Sequence, residues 1–239
     1  MIREIIEKMI TRFTRDGSCT FFETASFPWV TLVEGEWKAI RAELDALLIR
    51  RDEIPNFQDI SYDQAVLTEG AQWKTYFFYA YGQKAEENCA RCPQTARALA
   101  SIPGMKTAMF SILSPKKHIP EHRGPYKGVL RYHLGLLIPE PKTNCRIRVG
   151  KDVRCWEEGK SLIFDDSHLH EAWNDADAYR VVLFVDFLRP LFFPLSLLNR
   201  VMVWRIGTTE FVTGAMKRIR NPAMIANEKA AGAKRDASP

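Results

Sequence analysis

The stretch Ser111-Ile-Leu-Ser-Pro-Lys-Lys-His-Ile-Pro-Glu-His-Arg-Gly-Pro-Tyr-Lys-Gly-Val-Leu-Arg-Tyr-His-Leu-Gly-Leu136 holds three of the chain's five histidines. Phe164-Asp-Asp-Ser-His-Leu-His-Glu-Ala-Trp173 holds the other two. Residues 128–138 alternate, which puts Arg131 and His133 on one face of a strand together with Val129 and Gly135. Outward from there, 107–113, 145–149, 161–164 and 180–188 read as further short strands. The loops between them carry Pro115, Pro120, Pro125, Pro139, Pro141, Gly150, Gly159 and Asn174. Short strands punctuated in this way predict a mainly β fold, an antiparallel barrel or double-sheet jelly roll.

The flanks are helical. Ile2, Ile5, Ile6, Met9, Ile10 and Phe13 recur at helical spacing, as do Trp37, Ile40, Leu44, Leu47 and Leu48 within 34–48, a helix expected to pack on a sheet. The aromatic run 76–81 has strand character, and 94–100 reads as a short helix. Beyond Pro190, residues 197–206 and 211–219 form two amphipathic helices in which Arg200, Arg205, Lys217, Arg218 and Arg220 outweigh Glu210. Such a basic pair either caps the sheet or lies on an anionic membrane. Residues 221–239 are poor in large apolar side chains and read as a disordered tail. The division expected is a barrel domain with N-terminal helices at 1–190 and a basic amphipathic extension at 191–239.

Composition narrows the function classes. A net charge of +5 with no basic-aromatic module argues against nucleic acid as a partner. Residues 1–13 contain Glu4, Glu7 and Lys8 and do not read as a secretory signal, so the expected location is the cytoplasm, with peripheral contact at the inner membrane. The apolar run 191–198 is interrupted by Pro194 and is far shorter than the roughly 20 residues of a spanning helix. Five cysteines make an odd count, and Cys89 and Cys92 have zinc-ligand spacing without a second close pair, so neither a disulfide framework nor a zinc site is expected.

His118 and His122 have the spacing of a helical zinc motif, but Pro120 between them rules out the helix. An extended segment turning at Gly124-Pro125 fits better. Arg180 shares a strand face with Val182, Phe184 and Asp186, and it either meets an internal acid such as Asp186 or Asp166 or waits for an external carboxylate. Histidines on separate strands, with an arginine ten residues after His170, form the set required by iron-dependent oxygenases that consume 2-oxoglutarate.

His122-Arg-Gly-Pro, Leu130-Arg-Tyr-His-Leu-Gly-Leu, Trp156-Glu-Glu-Gly-Lys, Phe164-Asp-Asp-Ser, His170-Glu-Ala-Trp and 180–186 together resemble the aspartyl/asparaginyl β-hydroxylase family over roughly 109–190. The resemblance implies a double-stranded β-helix in which His122 and His170 bind Fe(II). It also implies that Ser111 and Arg180 hold the outer carboxylate of 2-oxoglutarate, and that Arg131 and His133 line the same pocket. Most 2-oxoglutarate oxygenases carry an acid two positions after the first histidine. Here that position is Gly124, and the family leaves water there, although halogenases use such a gap for chloride. Asp165 or Asp166 is an alternative source of the missing carboxylate, but both are expected to support the site through hydrogen bonds instead, and His168, taken to share a face with His170, is the rival of His170 as second ligand.

The reaction implied is hydroxylation of an unactivated carbon with O2 while 2-oxoglutarate is decarboxylated to succinate. Substrates in the family are aspartyl or asparaginyl residues, or the 2-position of acyl chains on lipid A and ornithine lipids. A lipid substrate predicts an apolar groove beside 191–204, whereas a peptide or free amino acid predicts a cationic pocket built from Arg123 and Lys127. A catalytically silent cupin-like module that binds a small acid or a protein is the reading from a different class.

Overall fold

The computed structural model describes residues 2–61, 68, 72–221 and 223–225. Its strands are β1 (Phe21–Phe22), β2 (Trp73–Ala80), β3 (Gln83–Lys84), β4 (Met105–Leu113), β5 (Lys117–His122), β6 (Val129–Leu137), β7 (Cys145–Val149), β8 (Asp152–Cys155), β9 (Ser161–Phe164), β10 (His170–Asn174) and β11 (Arg180–Leu188). The helices are α1 (Ile2–Phe13), α2 (Trp29–Gly35), α3 (Trp37–Leu48), α4 (Phe57–Ile60), α5 (Glu86–Arg91), α6 (Pro93–Ala100), α7 (Leu195–Gly207) and α8 (Glu210–Arg220).

The strands form a larger sheet in the order β1-β9-β6-β11-β4-β2-β3 and a smaller one in the order β5-β10-β7-β8. Every paired strand is antiparallel. From β4 to β11 the chain winds back and forth between the sheets, setting β4-β11-β6-β9 across from β5-β10-β7-β8. This is the double-stranded β-helix, a jelly roll.

Strand alternation divides the apolar side chains between two cores. Met109, Leu113, Val182, Phe184 and Phe164 of the larger sheet meet Ile119, Ile147, Val149 and Ala172 of the smaller one inside the roll. The opposite face of the larger sheet, with Phe110, Ile112, Tyr132, Leu134, Leu183 and Val185, packs against Val30 and Val33 of α2, Ile40 and Leu44 of α3, and Leu99 of α6. The helical stretch read at 34–48 is thus two helices: α2 starts earlier, at Trp29 after Pro28, and the chain bends at Glu36.

Two strands follow from context rather than from propensity. β5 tolerates Pro120 because it is the outer strand of its sheet and bonds to β10 alone. β10 forms between β5 and β7 and ends at Asn174, a residue read as loop, whose side-chain amide donates to Ser114 O at 2.8 Å and Ala178 O at 2.9 Å. All five cysteines are free, and Cys89 and Cys92 are buried around the junction of α5 and α6, where burial pushes the Cys92 thiol up to about 12.

At the C-terminus, Leu195 and Val203 of α7 pack with Ile6 and Ile10 of α1 and with Tyr126 and Val129. Ala215, Met216 and Ile219 of α8 join the cluster inside the roll. The tail read as disordered, 221–239, lies outside the described residues except at 221 and 223–225. No helix among the described residues is long and apolar enough to cross a membrane.

Candidate active site

The register of the smaller sheet creates an imidazole pair. His122 at the end of β5 lies directly opposite His170 at the start of β10, with ring centroids 4.1 Å apart. His122 Nδ1 is 2.8 Å from Pro120 O, and His170 Nδ1 is 3.0 Å from His168 O. A carbonyl oxygen can only accept, so each ring carries its proton on Nδ1 and leaves the Nε2 lone pair free. Burial pulls His122 below the ordinary imidazole range. Burial, with His122 and Arg131 nearby, pulls His170 down to about 3. Two neutral, pre-oriented imidazoles form a donor set suited to a divalent transition metal. Among the described residues, no group of three or more His, Cys, Asp or Glu side chains is placed to hold such an ion.

The other histidines lie elsewhere. His168 is in the turn before β10 and does not share a face with His170; its Nε2 is 3.5 Å from Lys127 Nζ and 3.9 Å from Asp165 Oδ2. The expectation that it shares that face fails because the strand begins only at His170. His118 is on the outer side of the smaller sheet, stacked on Trp173 and 2.9 Å from Glu171 Oε2. His133 is buried among Trp156, Phe164 and Phe184, and neither of its ring nitrogens has a hydrogen-bond partner. Burial, with Arg131, Arg180 and His170 nearby, holds His133 well below its usual range and hence neutral.

The larger sheet contributes a buried group of cationic and donor side chains. Arg180 is 2% exposed, its guanidinium lies 4.3 Å from the centre of the Trp156 ring, and its Nε has no hydrogen-bond partner. No carboxylate among the described residues pairs with it, and burial draws its pKa down to about 10. Trp156 Nε1 is also buried and unpaired. Ser111 lies across from Val182 in the sheet; its Oγ accepts from Trp73 Nε1 at 3.0 Å, which leaves the hydroxyl proton to donate elsewhere. Buried polar atoms without partners cost on the order of 1–3 kcal/mol each, so a cluster of them around a buried cation suits a carboxylate ligand.

The internal acids considered for Arg180 are occupied by Arg131 instead. Arg131 Nε is 2.8 Å from Asp186 Oδ1, its cross-strand neighbour, and Nη2 is 2.8 Å from Asp166 Oδ2. The cost of placing Arg131 inside the barrel is therefore met within the protein. Asp166 is 0% exposed, and burial raises its pKa to about 7. Its carboxylate fills the space beside Gly124, where a Cβ would sit 2.0 Å from Asp166 Oδ2. Gly124 N donates to Asp166 O at 2.7 Å and locks the two segments together. Asp165 turns the other way, to Lys127 Nζ at 2.8 Å and Arg189 Nη1 at 2.6 Å.

Beside His122, Gly124, Arg131 and Asp166 a pocket opens between the sheet and the C-terminal helices. Its apolar walls include Phe77, Met109, Val203, Ile206, Val212 and Ala215. The cations proposed for an amino-acid pocket have other partners: Lys127 is buried on Asp165, and Arg123 donates to Ser167 O at 2.6 Å and Glu7 Oε2 at 2.8 Å. Sequence reasoning missed Trp156 as a partner of Arg180, and it named Asp165 and Asp166 together without telling which of them packs at the gap beside Gly124. The alternation of 180–186 carried no information about the first, and only the close packing of two distant loops reveals the second.

The family model described as Aspartyl/Asparaginyl beta-hydroxylase matches residues 34–190. An ornithine lipid ester-linked acyl 2-hydroxylase of Rhizobium tropici is 50% identical over 206 residues, which is 86% of this chain and 73% of that protein. The human aspartyl/asparaginyl beta-hydroxylase is 35% identical over 173 residues, 70% of this chain and 22% of its own length. Among solved structures, a Pseudomonas putida prolyl-4-hydroxylase aligns over 80% of this chain and all of that one, with 16% identity and a TM-score of 0.42. The extent of the family match, with 50% identity to a hydroxylase over most of its length, gives the conclusion that this chain belongs to the aspartyl/asparaginyl β-hydroxylase family.

Proposed function

We propose that this protein is an Fe(II)- and 2-oxoglutarate-dependent dioxygenase that hydroxylates an unactivated C–H of a lipid acyl chain. The observation that carries the lipid reading is the apolar pocket that begins at His122 and is walled by α7 and α8. Iron, when bound, supplies the activation of O2 that the side chains alone lack. His122 and His170 would hold it through the nitrogens left free, with Nδ1 tied to backbone carbonyls so that the rings cannot turn away. Arg180 and the Ser111 hydroxyl would grip the far carboxylate of 2-oxoglutarate, with neutral His133 and Trp156 Nε1 as further donors in the same buried group. Arg131 fixes Asp166 beside the imidazole pair, and the surrounding aromatics would keep water out.

Two competing readings lose ground on specific observations. Halogenation needs an open place for an anion beside Gly124, and a carboxylate is already packed against that residue. An amino-acid substrate needs free cations at the pocket, and Arg123 and Lys127 are both paired.

The test is aerobic incubation with Fe(II), 2-oxoglutarate and either ornithine lipid or an aspartyl peptide. The expected result is succinate formation coupled to gain of one oxygen by the fatty acyl chain. His122→Ala and His170→Ala should each abolish turnover and weaken binding of Co(II), read by its absorption spectrum. Oxygen gained by the peptide instead would overturn the lipid assignment, and unchanged Co(II) binding in both variants would overturn the metal assignment.

A further inference from the structure

α7 has two apolar faces, and only one of them is covered. Leu195, Asn199 and Val203 are buried, and Val203 and Ile206 wall the active-site pocket. On the opposite face Leu197, Val201 and Trp204 recur at helical spacing and are 54%, 49% and 68% exposed, with Leu198 beside them. The tip leading into the helix adds Phe192 and Phe193, the latter 77% exposed. A helix that is apolar all round is normally buried, and a contiguous exposed patch with two aromatic types marks an interaction surface.

Charge identifies the occupant. α7 carries Arg200 and Arg205, both exposed, and no acid. α1, which lies against α7, exposes Arg3, Lys8 and Arg12 against Glu4, and its other acid, Glu7, is turned inward to Arg123. An apolar stripe with tryptophan and phenylalanine, flanked by arginines, matches the interface of an anionic bilayer: rings and aliphatic chains enter the acyl boundary, and guanidinium groups stay at the headgroups. α8 is different. Its apolar face, Ala215, Met216 and Ile219, is spent inside the roll, so this helix caps the barrel.

We propose that the outward face of α7, together with Phe192 and Phe193, docks on an anionic lipid surface, so that one helix contacts the membrane on one side and forms the wall of the substrate pocket on the other. The docking stands on the surface alone; the delivery of an acyl chain into the pocket rests on the lipid reading above.

The experiment is co-sedimentation of the full chain with vesicles of phosphatidylglycerol and phosphatidylcholine, compared with phosphatidylcholine alone. Binding is expected only with the anionic lipid and should fall with added salt. Leu197→Ser, Val201→Ser and Trp204→Ser combined should abolish it. Arg200→Gln and Arg205→Gln should weaken it about fivefold each. Lys217→Gln on the capping helix should leave it unchanged. The same triple variant should still hydroxylate lipid dispersed in detergent micelles, because none of the three side chains lines the pocket. Vesicle binding untouched by the triple variant would overturn the proposal. So would a wild-type dimer that the triple variant converts to a monomer, since a second copy would then be what covers the face. Wild-type binding that depends on α7 without oxidation of any lipid would leave the docking surface standing and remove the acyl assignment.

Discussion

Replacing Arg180 by methionine should move two measurements in opposite directions. The guanidinium is buried with no carboxylate partner among the described residues, and burial draws its pKa down to about 10. A cation whose folded pKa is depressed destabilises the fold at every pH below the folded value, and the penalty is relieved only as pH rises through about 10 toward the ordinary arginine range. At neutral pH it is present in full, on the order of 3 kcal/mol. Methionine has similar length and removes that penalty, but it also loses the contact with the Trp156 face, worth about 1–2 kcal/mol. Without cosubstrate the variant should therefore be more stable by about 1–2 kcal/mol, a rise in Tm of about 3–6 °C by scanning calorimetry. Affinity for 2-oxoglutarate should fall by the value of a buried charge-assisted pair, about 2–5 kcal/mol, or about 30- to 5000-fold in Kd by titration calorimetry. A variant that melts below the wild type and still gains stability when 2-oxoglutarate is added would refute the assignment of Arg180 as the cosubstrate anchor.

Gly124→Ala should cost about 2–4 kcal/mol in urea unfolding, because the new Cβ sits 2.0 Å from Asp166 Oδ2 and the carboxylate must retreat by about 1.4 Å from its pairing with Arg131. Adding Asp166→Ala should make the double variant less destabilised than the sum of the two single changes; additivity within about 0.5 kcal/mol would mean that the two sites are independent. Glu7→Ala removes the acceptor of both Arg123 Nη2 and Lys127 N, so amide exchange at 123–127 should accelerate and stability should drop by about 1–2 kcal/mol, a figure already discounted for the half-exposed Arg123 side chain. Asp165→Asn leaves Lys127 and Arg189 buried without a carboxylate, which should cost about 3–5 kcal/mol. Burial pushes the Asp165 carboxyl up, but Arg189 and Lys127 outweigh it and hold the pKa below 3.8. The stability it provides is thus present above the ordinary aspartate range and is lost as acid protonates it, and Asp165→Asn should flatten the acid limb of a plot of stability against pH.

What was legible in the chain and what was not divides along local and non-local physics. Alternation alone puts Arg131 and His133 on one face of β6 and Arg180 and Asp186 on one face of β11, and those faces do point into the roll. It does not say which inward cation meets which inward acid. That is settled by register: Arg131 stands across from Asp186, while Arg180 stands across from Leu113, so the first arginine is neutralised by a neighbour and the second is not. β10 escaped the propensity reading because Asp165, Asp166 and Ser167 lie in the turn before it and Asn174 closes it; it becomes a strand because β5 and β7 flank it on both sides. The same pairing aligns His122 with His170. The two halves of the site are thus specified differently. The smaller sheet aligns the imidazoles through one antiparallel register, and the larger sheet sets out the proposed carboxylate grip through side-chain parity along β4, β6 and β11. A one-residue slip of β5 against β10 would separate the imidazole pair and leave Arg180, Ser111 and His133 in place, so metal binding and cosubstrate binding should be separable by mutation in this fold.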